Sequence, residues 1–216
     1  MASISGLTLT GVGTGTCTIT ATISAGTNYS SASTSFTLTV SDPYNGHAYV
    51  DLGLPSGTKW ATMNVGASSE TDYGKFYQYG KGASNYFVTS GDSDYSGTEN
   101  PLDSSVDTAV QVWGGSWHMP TQTQLNELTA NTTYEWTTIN GVNGGKFTAT
   151  NGNYVFFPAA GYWVDNGHTY AGSRGHYWSS SPYGNGLAVY LHLRKNVKVV
   201  DSEDREYGNS VRPVVG

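Results

Sequence analysis

The chain has 216 residues and a formal net charge of −6, with only ten Lys and Arg and no basic stripe, which excludes duplex nucleic acid as the expected partner. Charged residues make up 12% of it, against about 25% in a typical soluble domain. Gly, Ser, Thr, Asn and Tyr fill the gap, the composition of a β- and loop-rich protein and of contact faces where Tyr supplies area at low entropy cost.

The single cysteine, Cys17, rules out an intrachain disulfide and reads as a small buried strand residue. No apolar run approaches the roughly 20 residues that span a bilayer, so no membrane insertion is expected. Met1-Ala2-Ser3 leads straight into strand-like sequence, without the pattern of a signal peptide.

Residues 4–41 contain three Thr-rich strand candidates, Leu7–Thr10, Cys17–Ser24 and Thr34–Val40, separated by Gly, Asn and Ser turns. Asp42-Pro43 and Asn45-Gly46 mark a turn or linker, so the domains are expected at 1–42 and 43–216. The second block opens with two short strands around Leu54-Pro55-Ser56-Gly57, and Ser69-Glu70-Thr71-Asp72 precedes YGKFYQYG, a short helical turn by its pattern. Residues 81–106 read as a polar loop and Asp107–Val112 as a short helix. The strongest helix signal starts at Pro120-Thr121, where Thr121 and Gln124 have capping-box spacing, Leu125 and Leu128 form the apolar side, and Asn131 is the stop. Short strand candidates fill the rest of the chain: TYEWTTI, GGKFTAT, YVFFPAAGYW, HYWSSS, GLAVYLHL, KVV and SVRPVV. The plan is α+β with a mostly antiparallel sheet and one or two helices.

In the last stretch, Leu187, Val189, Leu191 and Leu193 alternate with Ala188, Tyr190, His192 and Arg194, the period of a strand with one buried face. Around them stand Tyr183, Asn185, Lys198, Asp201, Glu203, Glu206, Tyr207 and Asn209. Together with Tyr190, His192 and Arg194 these are the candidate ligand-binding residues, a mixture of aromatic anchors and adaptable polar groups. The competing reading is a solvated sheet edge with a polar turn.

Other motifs carry less. Asp92-Ser93-Asp94-Tyr95-Ser96-Gly97 with Asp103 echoes a calcium loop, but its twelfth position is not Glu and no helices flank it, so no metal is assigned. The histidines at 47, 118, 168, 176 and 192 show no metal-ligand spacing. Ser179-Ser180-Ser181 lacks a nucleophile context and reads as hydroxyls pairing backbone groups in a turn. The adjacent carboxylates Glu203 and Asp204 on a strand would point to opposite faces. No catalytic residue and no cofactor is called for.

Several segments carry a resemblance: YVDLGLPSGTKWATMNVGA (49–67), WGGSWHMPTQTQLNEL (113–128), FPAAGYW (157–163), HYWSSSPY (176–183) and YGNSVRPV (207–214). Together they resemble the Fibrobacter and Bacteroides major paralogous domain, related to diversity-generating-retroelement variable proteins and to the formylglycine-generating superfamily. The resemblance implies a C-type-lectin-like fold and places Trp60, Trp113, Trp117, Trp136, Trp163 and Trp178 mostly in packing motifs. The run GTGTCTITATISAGTNYSSASTSFTLTV is similar to the C-terminal part of a bacterial immunoglobulin-like repeat, which implies an N-terminal all-β immunoglobulin-like fragment.

The implied function is a non-enzymatic extracellular adhesin or receptor-binding module, on a cell surface or phage particle. It would recognise a surface protein or glycan through its C-terminal strands. The alternative is a structural component of a surface or tail assembly. The absence of any cysteine after Cys17 removes the oxidase activity of the superfamily, and Glu99-Asn100-Pro101 is the wrong order for a calcium-dependent sugar motif. Tyr, Asn, His and Asp at the candidate positions suit adenine-directed rewriting of Asn codons, whereas Lys195, Lys198, Glu203 and Glu206 do not, so the fit to a diversified segment is partial.

Overall fold

The structure, a computed structural model, describes residues 2–5, 8–11, 15–28, 30–40, 44–83, 95–165, 167–184 and 186–216. The chain divides into two compact units, Met1–Gly46 and His47–Gly216.

The first unit contains two antiparallel hairpins. β1 (Ala2–Ser5) pairs with β2 (Thr8–Gly11), and β3 (Gly15–Ile23) pairs with β4 (Ala32–Val40). The three strands expected from Thr-rich alternation are present, with β1 added ahead of them. Cys17 lies opposite Leu38 in register, and its side chain falls outside the described residues. Ile23 and Phe36 are 61% and 55% exposed.

The second unit is mixed α and β, dominated by antiparallel strands. It begins with β5 (Tyr49–Asp51), β6 (Lys59–Ala61) and β7 (Phe76–Tyr77). The helical turn expected at YGKFYQYG is thus a correction: Phe76 and Tyr77 are buried strand residues paired with Ser210 and Asn209. Tertiary pairing overrides a short local signal here.

Helix α1 (Thr108–Trp113) is set by Asp107, whose Oδ1 accepts from the backbone N–H of Ala109 (2.8 Å) and Val110 (3.1 Å). Its Oδ2 accepts from Met119 N–H at 2.9 Å, so one buried carboxylate caps the helix and ties down the segment after it. Helix α2 (Gln122–Asn131) starts with the expected capping box: Thr121 Oγ1 accepts from Gln124 N–H, and Gln124 Oε1 accepts from Thr121 N–H. Leu125 and Leu128 are fully buried.

β8 (Thr132–Ile139) follows at once and pairs with β9 (Val142–Ala149), which pairs in turn with β10 (Tyr154–Pro158). Asn140 (φ 48°) and Gly141 (φ 81°) make the two-residue turn between β8 and β9, left-handed positions that this short hairpin connection demands. Gly144 in β9 has no room for a side chain, since a Cβ there would strike the Phe157 carbonyl and the Phe156 ring.

A small hairpin of β11 (Tyr162–Val164) and β12 (Gly167–Thr169) precedes the long strands β13 (Arg174–Tyr183), β14 (Leu187–Arg194) and β15 (Val197–Asp204). The chain ends in β16 (Asn209–Ser210) and β17 (Val214–Val215). The central sheet has the order β15-β14-β13-β16-β7, and β17 closes a second sheet in the order β17-β6-β5.

Two apolar clusters flank the central sheet, and β14 serves both. Val189, Leu191 and Leu193 pack with Leu125, Leu128, Phe147, Phe157 and Tyr177. Ala188 and Tyr190 pack with Trp178, Tyr79, Trp113 and Trp117. The expectation of one buried face is therefore corrected: over 188–191 both faces are covered. Trp60, Trp117 and Trp178 are fully buried and Trp113 nearly so.

Arg212, also fully buried, donates from Nε to Asn64 Oδ1 (2.8 Å), from Nη1 to the Ala61 carbonyl (3.0 Å) and from Nη2 to the Phe156 carbonyl (2.9 Å). It joins three separate segments. Burial lowers its pKa to about 10, and Tyr177 and the Glu70 carboxylate offset the desolvation only in part.

Candidate functional site

The register of the central sheet decides which side chains meet. Arg174, His176 and Trp178 of β13 stand opposite Arg194, His192 and Tyr190 of β14. On the other side of β14, Tyr190 stands opposite Asp201 and Ala188 opposite Glu203 of β15. Cross-strand partners share a face, so these residues form one surface that runs from the Trp178 core out to Arg174 and Arg194.

The centre of this surface is a polar and aromatic cluster. The Glu203 carboxylate accepts from His176 Nδ1 at 3.1 Å and also from Asn209 Nδ2. The second ring nitrogen, His176 Nε2, is buried without a hydrogen-bond partner among the described residues, as are His192 Nε2 and Asn209 Oδ1.

Rings are layered around it. Tyr162 from β11 stacks on His176 (centroids 4.3 Å apart) and, in parallel at 5.6 Å, on Tyr207. His176 lies 4.9 Å from His192 and 4.8 Å from Tyr190. At the margin, the Arg174 guanidinium sits 3.7 Å from the centre of the Tyr170 ring, a cation–π contact. Tyr170 and Asp201 are exposed.

The cluster resists added positive charge. Burial, reinforced by His176, Arg174 and Arg194, lowers the His192 pKa to about 4. Burial raises the phenol pKa of Tyr190, Tyr162 and Tyr207, with neighbouring carboxylates adding to the effect. Burial thus disfavours charge on the His192 imidazole and on the tyrosine phenols, and Arg174, Arg194 and Asp201 lie around the stack.

Of the sequence candidates, Tyr190, His192, Glu203, Tyr207 and Asn209 come together in the cluster, with Arg194 and Asp201 at its margin. Two of these need correction as contact residues: Tyr190 and Asn209 are buried, and they support the surface from beneath. Lys198 is a further correction. It lies on the other face, where its Nζ donates to the Thr129 carbonyl (2.5 Å) and the Thr132 carbonyl (3.3 Å) at the C-terminal end of α2, a cation against the negative helix end.

Tyr183 is 55% exposed, but it pairs with Leu187 at the far tip of the β13–β14 hairpin. At about 3.3 Å per residue, that tip lies roughly 20 Å from His176. Glu206 is exposed, and its backbone carbonyl accepts from Gln78. Asn185 lies outside the described residues.

Sequence reasoning missed Tyr162, Tyr170, Arg174 and His176 as members of this surface. The signal for His176 and Arg174 was their even spacing on the strand ahead of Trp178. Nothing local marked Tyr162. The buried Arg205 was also missed. Its Nε donates to the Leu187 carbonyl (2.9 Å) and its Nη1 to the carbonyls of Tyr95 and Gly97 (both 3.0 Å), tying the end of β15 to a distant loop.

The lesser motifs resolve structurally. Ser179 Oγ donates to the Val189 carbonyl (2.8 Å), and Ser181 Oγ accepts from Gln122 N–H (3.0 Å) at the start of α2. His47 stacks on Trp113 at 3.8 Å and His168 on Trp163 at 5.4 Å. His118 Nδ1 bonds the Ser116 carbonyl. Glu203 is nearly buried while its neighbour Asp204 is exposed, so the two carboxylates do point apart. Asp92 and Asp94 of the calcium-like loop lie outside the described residues, and Asp103 Oδ1 accepts from Ser105 N–H.

The class defined so far is a mixed α and β domain with a buried histidine–carboxylate–tyrosine surface on its central sheet. Residues 132–214, from β8 to β17, match a family model described as a domain of unknown function, DUF8237. The match holds the whole candidate surface. No curated protein and no solved structure matches the chain.

Proposed function

We propose that the chain is a non-enzymatic extracellular ligand-binding module of adhesin or receptor-binding type, with a C-type-lectin-like second domain behind an immunoglobulin-like fragment. The ligand is a protein or glycan on a cell surface. Specificity resides in the surface formed by β13, β14, β15 and the Tyr207 turn. The observation that carries this reading is the ring stack of Tyr207, Tyr162 and His176 on a hydrogen-bonded Glu203–Asn209 base. Such a stack presents large, conformationally restricted contact groups with charged groups around them, the arrangement that binding hot spots favour. The sheet beneath holds it rigid, which lowers the ordering cost of binding.

The test is a screen of the purified protein on glycan and bacterial-surface-protein arrays beside a Tyr170→Ala/Asp201→Ala/Tyr207→Ala variant. A captured ligand lost in a variant of unchanged melting temperature supports the reading. A ligand that survives all three changes moves the binding site elsewhere, and capture of nothing returns the chain to a structural role in a surface or tail assembly.

A further inference from the structure

A second surface lies away from the ring stack, beside β8. In the β8–β9 hairpin the two-residue turn makes Ile139 and Val142 a hydrogen-bonded pair. Bonded and non-bonded pairs alternate along an antiparallel ladder. Thr137, Glu135 and Thr133 therefore bond β9, while the N–H and C=O groups of Thr138, Trp136, Tyr134 and Thr132 point away from it. The Thr132 carbonyl is taken by Lys198 Nζ. No other strand pairs on that side of β8 among the described residues, and the outward groups of Tyr134 and Trp136 have no backbone partner there.

This edge borders an open groove of about 650 Å³ between β8 and the β14–β15 turn, lined by Thr132–Trp136, Lys195, Asn196 and Lys198. Protein edges are ordinarily guarded by charge, proline or shortness. β15 carries Lys198, Asp201 and Asp204, and β10 ends in Pro158. β8 is eight residues of TTYEWTTI, rich in β-formers, without proline or lysine. Its one charge, Glu135, stands opposite Lys146. The remaining charges at the groove are Lys195 and Lys198, with Arg194 adjoining, on a chain whose net charge is −6.

We propose that this groove takes an acidic peptide segment in extended conformation, added to β8 as a further strand. Main-chain bonds to Tyr134 and Trp136 supply the pairing, as in other strand additions, and the exposed Lys195 selects the acidic side chains, beside a Lys198 already held by the Thr129 and Thr132 carbonyls. The site is separate from the ring stack, so loss of one ligand leaves the other's binding intact.

The probe is a capped, fluorescently labelled peptide the length of β8, alternating Asp with Thr and Val, titrated into the full chain while amide exchange is followed by NMR. The N–H groups of Tyr134, Trp136 and Thr138 gain protection, and those of Thr133 and Glu135, already in the ladder, do not change. A peptide N-methylated at every amide binds at least about tenfold more weakly, because neither of its edges can donate to the ladder. Lys195→Glu, at an exposed turn, weakens binding about fivefold, and added salt weakens it further. Equal binding by the N-methylated peptide, or none by the parent peptide, overturns the proposal. So does binding of an oligogalacturonate without amide protection, which makes the groove a sugar site. Self-association that protects Tyr134 and Trp136 without peptide gives the edge to a second copy of the chain and overturns it as well.

Discussion

The two faces of the central sheet, built from alternate residues of the same strands, are opposites in chemistry. One face is mostly apolar: Val189, Leu191 and Leu193 meet Phe147, Phe157, Tyr177 and the leucines of α2, and among the described residues its unpartnered buried polar atoms are Trp60 Nε1 and the Ser210 Oγ opposite Tyr177. The other passes from the Trp178 core into His176, His192, Glu203 and Asn209, where three buried polar atoms, His176 Nε2, His192 Nε2 and Asn209 Oδ1, lack partners among the described residues. Each unpartnered buried group costs about 1–3 kcal/mol. The apolar face is arranged for stability. The polar face retains groups that stability alone would replace with apolar ones, and such departures concentrate at functional surfaces.

The comparison can be broken most strongly on the apolar side. Leu191→Ala leaves a cavity at a fully buried position and lowers unfolding free energy by about 3 kcal/mol, measured by urea denaturation. Asn209→Ala removes the second donor to the Glu203 carboxylate and costs about 1.5 kcal/mol, while also removing one unpartnered oxygen. If it cost as much as Leu191→Ala, the two faces would not differ in kind.

His192→Phe sharpens the contrast. It replaces a half-buried imidazole whose Nε2 has no partner, so stability at pH 7 changes by less than about 1 kcal/mol. Its pH profile changes more. The folded pKa is about 4 against an ordinary imidazole value of 6.5, so the unfolded chain takes up a proton that the folded chain refuses. Stability from this group is complete above the unfolded value, falls as pH drops from 6.5 towards 4, and is level below that. Denaturation curves of His192→Phe across this window flatten relative to the parent, and an unchanged slope would remove His192 as the source. The smallest effect belongs to the margin: Asp201→Ala and Tyr170→Ala, both at exposed positions, shift stability by less than about 0.5 kcal/mol, as read from melting temperature.

Local chemistry was readable where a few neighbouring residues settle the outcome. Thr121 with Gln124 announces α2, the short helix expected over 107–112 is present as α1 with Asp107 as its cap, and the Ser179 and Ser181 hydroxyls pair with backbone as their type suggests. The alternation from Leu187 to Leu193 correctly separates the two sets of β14 side chains. It does not say that both sets are covered, because Tyr and Ala on the second set suit water or core equally. Tyr190 falls on the covered side for that reason.

Lys198 shows the sharpest limit. Strand periodicity puts residues one apart on opposite faces, so its place beneath α2 rather than among the rings depends on the register of β15 against β14. Short segments are weaker still: the helical reading of YGKFYQYG yields to two backbone pairs with residues more than 130 positions away in sequence.

By itself, then, the amino-acid sequence determined most element types, the capping box of α2 and the two sets of β14 side chains, since these follow from propensity, spacing and side-chain chemistry within a few residues. The tertiary structure decided which groups meet. It stacked Tyr162 on His176, joined Glu203 to Asn209, sent Lys198 to the end of α2 and left β8 with an open edge, because pairing order and register in a sheet are set by contacts across the whole chain.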